Sequence, residues 1–199
     1  MREAIEKPAC GRIVYVVGAS GSGKDSLMRF ARTRLRSNPR VLFAHRYITR
    51  APDPVGENHI ALSAEEFAAR RAAGLFALDW ESHGHAYGIG IEIRQWLEMG
   101  ITVVVNGSRE YLTEARQRFP QLLVARVEVS DEVLRDRLLV RGREDLQAIE
   151  ARLERHRALQ GNALSAAHGI PIRNDGELAE GGAALVDLIL QACGDSLCV

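Results

Sequence analysis

Gly18-Ala-Ser-Gly-Ser-Gly-Lys-Asp-Ser26 follows an apolar run, Ile13-Val-Tyr-Val-Val17, and leads into Leu27-Met-Arg-Phe-Ala-Arg-Thr-Arg-Leu35, which has helical character. Strand, glycine-rich turn and helix, with Gly18 spaced from Gly23-Lys24 as it is here, form the context that a phosphate-binding loop requires. Glycines let the backbone curl until successive N–H groups point inward at phosphate oxygens, and the helix N-terminus adds partial positive charge at the same place. Lys24 is placed to reach the β- and γ-phosphates. The stretch therefore predicts a nucleoside triphosphate site built from Gly18, Ala19, Ser20, Gly21, Ser22, Gly23, Lys24, Asp25 and Ser26.

The residue after the loop lysine is ordinarily Ser or Thr, whose hydroxyl binds Mg²⁺. Here it is Asp25, with Ser26 one place later. A carboxylate also suits this hard, oxygen-seeking ion, so Asp25 is the candidate metal residue. An acid in a first helical turn also favours the helix dipole, and the two roles are compatible.

The chain has 199 residues, with 26 basic side chains balancing 26 acidic ones. That length accommodates one α/β unit, and the balance gives no polybasic face for nucleic acid or membrane. No apolar run is long enough to span a bilayer, and Met1-Arg-Glu-Ala-Ile-Glu-Lys7 lacks the apolar core of a signal peptide. Cys10, Cys193 and Cys198 lie near the ends without metal-ligand spacing, so the expected location is the cytoplasm.

Further along, strands are expected at 12–17, 41–44, 75–80, around Tyr87, and at 101–105, 122–129 and 170–173. Helices are expected at about 24–37, after the capping box Ser63-Ala-Glu-Glu66, and over 92–99, 108–119 and 131–139. Two more are expected, one ending near Leu159 and one ending near Cys193. Strands alternating with helices predict a parallel sheet with helices on both faces.

Ile48-Thr-Arg-Ala-Pro52, Gly56-Glu57, Ser63-Ala-Glu-Glu-Phe67, Tyr87-Gly88 and Arg137 with Arg141-Gly142-Arg143 follow the loop in the order seen in guanylate kinases. From about residue 11 to 192 the chain resembles that P-loop kinase family. The resemblance implies one kinase domain over 1–199, with a core of about 11–44, 89–136 and 151–193, a small acceptor-binding lobe over about 45–88 and a short lid over about 137–150. It also implies transfer of the ATP γ-phosphoryl onto a phosphate. Guanylate kinases hold the acceptor phosphate with two arginines and tyrosines and read guanine through a carboxylate. Here Arg50 and Tyr87 are present, but Asp53 stands at the second arginine position, His59 at a tyrosine position, Leu78 at the base-reading position and Ala86 at the first tyrosine of the usual pair. A buried polar group without its partner costs about 1–3 kcal/mol, so a site with Leu78 there selects poorly for guanine. Asp79, next in sequence, keeps GMP as the alternative acceptor, and a non-catalytic guanylate-kinase-like binding module is the further alternative.

What remains of the lobe is basic and indifferent to a base: Arg46 with Arg50, bracketed by His45 and His59. With Gly23-Lys-Asp-Ser26 and Val104-Val-Asn-Gly-Ser-Arg109, the chain resembles the ribose 1,5-bisphosphate phosphokinases of bacterial phosphonate breakdown. These are guanylate-kinase-like enzymes that convert the sugar bisphosphate to 5-phosphoribosyl 1-diphosphate (PRPP). The expected partners are ATP, Mg²⁺ and a small phosphorylated sugar, with no nucleic acid or membrane; a homodimer is allowed. Arg46, Arg50, His59, Tyr87, Asn106, Ser108 and Arg109 are the candidate acceptor residues. Asn106 stands where P-loop kinases usually carry a metal-holding Asp, and capping of the next helix is its alternative role. Asn106 and Ser108 are expected to bond metal waters or acceptor.

Arg137 and Arg141 lie four apart on one helix face, with Arg143 beyond a glycine. Together with Lys24 and Arg152, Arg137 and Arg141 are the candidate catalytic groups, stabilising charge on the transferring phosphoryl. The alternative is a solvated face paired with Asp136, Glu144 and Glu154. Asn174-Asp175 matches where the resemblance places the adenine, which makes Asn174 a candidate nucleotide contact; a plain turn is its alternative. His83-Gly-His85 reads as a polar turn rather than a metal site.

Overall fold

β1 (Ile13–Gly18) is apolar apart from the Tyr15 hydroxyl, as suits a strand buried on both faces. It pairs in parallel with β7 (Thr102–Asn106) on one side and β8 (Leu123–Glu128) on the other. Adding β2 (Val41–Phe43) and β9 (Ile170–Arg173) completes a five-stranded parallel sheet of order β2-β7-β1-β8-β9. The computed structural model describes residues 11–51, 59–82, 84–142, 145–160 and 169–194.

Alternation along β1 divides the core. Val14 and Val16 face α1 (Lys24–Arg34) and the C-terminal helix α7 (Leu178–Gly194), packing on Leu27, Leu185 and Ile189. Ile13, Tyr15 and Val17 face the opposite way, toward α3 (Ile93–Glu98) and α4 (Leu112–Arg118) through Ile93, Leu97 and Leu112. Parallel strands require crossovers, and crossover helices cover both faces, as the strand–helix alternation predicts.

The second sheet has the order β4-β3-β6-β5, from β3 (Arg46–Ile48), β4 (His59–Ala61), β5 (Phe76–Ser82) and β6 (His85–Gly90). The sequence reading has no strands at β3 and β4, because three residues are too few to show an alternation. The inner face of this sheet carries Ile48, Leu78, Trp80, Tyr87 and Ile89 into the same apolar cluster as Tyr15 and Val105. Its outer face is covered by α2 (Ala64–Ala72), where Phe67 stacks on Phe76 at 4.6 Å. Ser63 Oγ accepts from the Glu66 amide at 3.1 Å, as the capping box predicts.

α5 (Asp131–Arg141) and α6 (Leu146–Gln160) form a third cluster of Leu134, Leu138, Ile149 and Leu153 against Ala19 of the loop. Each such burial is worth roughly 1.5–3 kcal/mol, which holds the bases of these helices on the loop. α4 begins at Leu112, not at Ser108 as the sequence reading has it. Among the described residues no helix is long and apolar enough to cross a membrane.

Candidate active site

The loop between β1 and α1 turns through two left-handed residues, Gly21 (φ 93°) and Gly23 (φ 87°). A methyl group on Gly23 would lie 2.4 Å from Asn174 Nδ2, so glycine is required there on contact as well as on conformation. Asn174, buried at the end of β9, donates its amide to the Ser22 carbonyl at 2.6 Å. Arg137 of α5 donates to the Asn174 carbonyl at 2.8 Å and, more weakly, to Ser22 O at 3.4 Å. Arg152 of α6 donates to Ser20 Oγ at 2.8 Å. Lys24 Nζ donates to the carbonyls of Gly18 and Ala19, both at 2.9 Å. Three candidate cations, Lys24, Arg137 and Arg152, thus converge on one turn of backbone. Arg137 faces the loop.

Just beyond the loop, the exposed Asp25 accepts at Oδ1 from Asn106 Nδ2 at 2.8 Å. Asn106 ends β7 in register with Val16 and is buried, and its own Oδ1 is buried without a hydrogen-bond partner. It caps no helix, since α4 starts behind Tyr111. The following turn is fastened to β1. The Gly107 amide donates to Val16 O at 2.9 Å, and the Ser108 amide donates to the Tyr15 hydroxyl at 3.0 Å. Arg109 is half-buried, and burial lowers its pKa against an opposing contribution from Glu110.

On the inner face of the second sheet, Arg46 and His59 are register partners on β3 and β4. The Arg46 guanidinium sits 5.3 Å from the centroid of the Tyr87 ring. Tyr87 stacks on Trp80 at 5.5 Å and 5°, and Trp80 stacks on Tyr111 of the core at 5.5 Å. Arg50 is exposed two residues beyond β3. Leu78, opposite Ile89, is fully buried on this inner face. Asp79 is held by Arg71 of α2 at 3.0 Å and Arg118 of α4 at 3.4 Å. Strand alternation turns consecutive side chains to opposite faces, so Asp79 is not a neighbour of Arg46 and Tyr87.

The structure therefore gathers the loop, Asp25, Asn106, Asn174, Arg137 and Arg152 in one place, and Arg46, His59 and Tyr87 on one sheet face. The side chain of Arg141, and Asp53, His83 and Arg143, lie outside the described residues. His85 donates from Nδ1 to the Thr49 carbonyl at 3.2 Å, a contact within the sheet. Sequence reasoning missed Tyr15, for which a phenol inside an otherwise apolar strand was the available signal, and the contact made by Asp175. Asp175 Oδ1 accepts from the Ser130 amide at 2.6 Å, and Ser130 caps α5, so the turn after β9 ties loop and α5 together. No sequence signal marked that contact, because its partner is 45 residues away.

A protein of Desulfomicrobium baculatum described as ribose 1,5-bisphosphate phosphokinase PhnN is 54% identical over 180 residues, covering 90% of this chain and 95% of its own. A protein of Thiobacillus denitrificans with the same description is 53% identical over 184 residues, covering 92% and 94%. The chain belongs to the ribose 1,5-bisphosphate phosphokinase family. Its fold is that of guanylate kinases: the crystal structure of guanylate kinase from Anaplasma phagocytophilum matches with a TM-score of 0.66 over 92% of this chain and 87% of that one. The identity to it is 14%, so that likeness concerns the fold alone. No family model matches the chain. Within the ribose 1,5-bisphosphate phosphokinase family, this member carries Leu78 and Trp80 buried on the lobe's inner face and Asp79 tied off between two arginines.

Proposed function

We propose that this protein transfers the γ-phosphoryl group of ATP to the anomeric phosphate of ribose 1,5-bisphosphate, giving PRPP and ADP. Family membership supports the reaction, and the observation that carries the choice of acceptor is the alternation along β5. Leu78 is buried on the inner face and Asp79 is held by Arg71 and Arg118, so neither presents a carboxylate to a purine beside Arg46 and Tyr87. A base-free acceptor with two phosphates suits a face that offers guanidinium and imidazole groups.

The chemistry needs no protein nucleophile. An oxygen of the anomeric phosphate, already anionic at neutral pH, forms the new bond to Pγ. The bond from Pγ to the β-bridging oxygen breaks, and its electron pair leaves on ADP. The loop amides and the α1 N-terminus cradle the phosphates. Lys24, which rests on the Gly18 and Ala19 carbonyls, exchanges these neutral acceptors for phosphate oxygens. Arg137 and Arg152 start from loop oxygens next to where the phosphoryl passes, and Arg141 belongs to the same helix as Arg137. Guanidinium groups there stabilise charge that develops on the equatorial oxygens. Arg46, Arg50, His59 and Tyr87 hold the sugar bisphosphate from the lobe, with Ser108 and Arg109 approaching from the core. Asn174 serves the nucleotide indirectly by bracing Ser22.

The residues present fit Mg²⁺. Asp25 provides a carboxylate beside the loop, and the unpartnered Oδ1 of Asn106 provides a neutral oxygen. Mg²⁺ is an ion that keeps most of its waters and phosphate ligands, so few protein ligands suffice. Bound there, Mg²⁺ would offset phosphate charge.

The test is ADP formation from MgATP with ribose 1,5-bisphosphate or GMP as acceptor, with PRPP identified as product. Turnover of the sugar bisphosphate in preference to GMP is expected; preference for GMP would overturn the acceptor assignment.

A further inference from the structure

β1 is apolar except for Tyr15, whose side chain is completely buried beneath the loop between β7 and α4. Its hydroxyl accepts from the Ser108 amide at 3.0 Å and donates to the Ser108 carbonyl at 3.3 Å. Its ring lies flat under Gly107, where a methyl group would come within 2.1 Å of Cζ. Three consecutive residues of the turn are thus tied to β1: Asn106 by strand register, Gly107 through Val16 O, and Ser108 through the phenol. β1 also leads directly into the phosphate-binding loop, so one strand sets the position of both.

We infer that Tyr15 is a positioning residue for phosphoryl transfer, fixing the Gly107–Ser108 turn so that Ser108 and Arg109 meet the acceptor at a set distance from the loop. The inference rests on the function proposed above. An apolar residue would fill the same space, but it would leave the Ser108 amide without its acceptor and the turn free to shift. Burial raises the pKa of the phenol strongly, against the opposing hydrogen bond from Ser108 and the charge of Arg46. Tyr111 and Glu114, which also face it, raise it further, so the neutral form that can both donate and accept persists. A misplacement of about 1 Å in a positioning element costs on the order of a hundredfold in rate, so even partial relaxation of the turn is measurable.

The decisive variant is Tyr15→Phe, which keeps the ring against Gly107 and removes only the hydroxyl. The expected result is a fall of about tenfold or more in kcat/KM for ribose 1,5-bisphosphate, with KM for MgATP within about twofold of the wild type and the MgATP-induced rise in Tm retained. Gly107→Ala, which pushes the same turn off the ring with the phenol intact, should give the same selective loss. Unchanged acceptor kinetics in Tyr15→Phe would overturn the inference. So would an equal loss in the MgATP parameters, which would mark a generally weakened fold. If wild-type protein turned over GMP and not the sugar bisphosphate, the acceptor assignment would fall. The same comparison, run with GMP, would then decide the role of Tyr15.

Discussion

The side-chain amide of Asn106 donates to the Asp25 carboxylate at 2.8 Å across 81 residues of sequence. The contact joins the end of the central β7 strand to the first turn of α1. It orients the carboxylate and leaves the Asn106 oxygen buried and unsatisfied beside it. Asp25→Ala should therefore raise the Mg²⁺ concentration needed for half-maximal activity by about tenfold to a hundredfold, while Asn106→Ala should have a smaller effect in the same direction. Activity titrated against free Mg²⁺ at fixed ATP measures both. Full activity of Asp25→Ala at low Mg²⁺ would rule out its metal role.

Gly23 is positive in φ and touches Asn174 where a Cβ would stand. Gly23→Ala carries a conformational cost of about 1–2 kcal/mol and also displaces the Asn174 amide from Ser22. The expected outcome is loss of the MgATP-induced shift in Tm, with a smaller decrease in the Tm of the free protein. Asn174→Ala should weaken MgATP binding in the same assay, because the Ser22 carbonyl loses its closer donor.

Arg137 bonds two backbone carbonyls of the site. If it stabilises the transferring phosphoryl, Arg137→Ala should lower kcat by about a hundredfold to a thousandfold with little change in KM for the acceptor. Arg137→Lys should recover part of this, since an ammonium keeps the charge without the fork. Steady-state kinetics with both substrates varied provide the check.

Asp79 is engaged by Arg71 and Arg118, with its side chain only partly exposed. Asp79→Asn should cost no more than about 1 kcal/mol per pair and leave the ratio of activities on ribose 1,5-bisphosphate and GMP unchanged. Leu78→Glu should not create a guanylate kinase. It places a carboxylate at a fully buried position in the shared core and should lower Tm markedly, as thermal melting would record.

Burial raises the pKa of Tyr15, and that of Tyr111 to a lesser extent. The unfolded chain releases these phenolic protons first, near pH 10, so their contribution to stability is complete below that pH and is lost as pH rises through the folded pKa. Stability measured by denaturant titration should fall above about pH 10, and more shallowly in Tyr15→Phe than in the wild type.

The fold class and the phosphate-binding loop were legible in the sequence. A loop of Gly18 to Lys24 after an apolar strand dictates its own turn, because glycine conformation and helix start are local properties. The strand–helix alternation likewise dictates a parallel sheet, and Leu78 at a base-reading position already argued against a purine. β3 and β4 were not legible, since three-residue strands exist only through their neighbours. The start of α4 was misplaced because Gly107 is held by Val16 and Ser108 by Tyr15, not by helical bonds. Which way Asp79 points, that Asn106 meets Asp25, and that Asn174 braces Ser22 belong to tertiary structure. Each depends on contacts between residues far apart in the chain, which sequence periodicity does not encode and only packing brings within bonding distance.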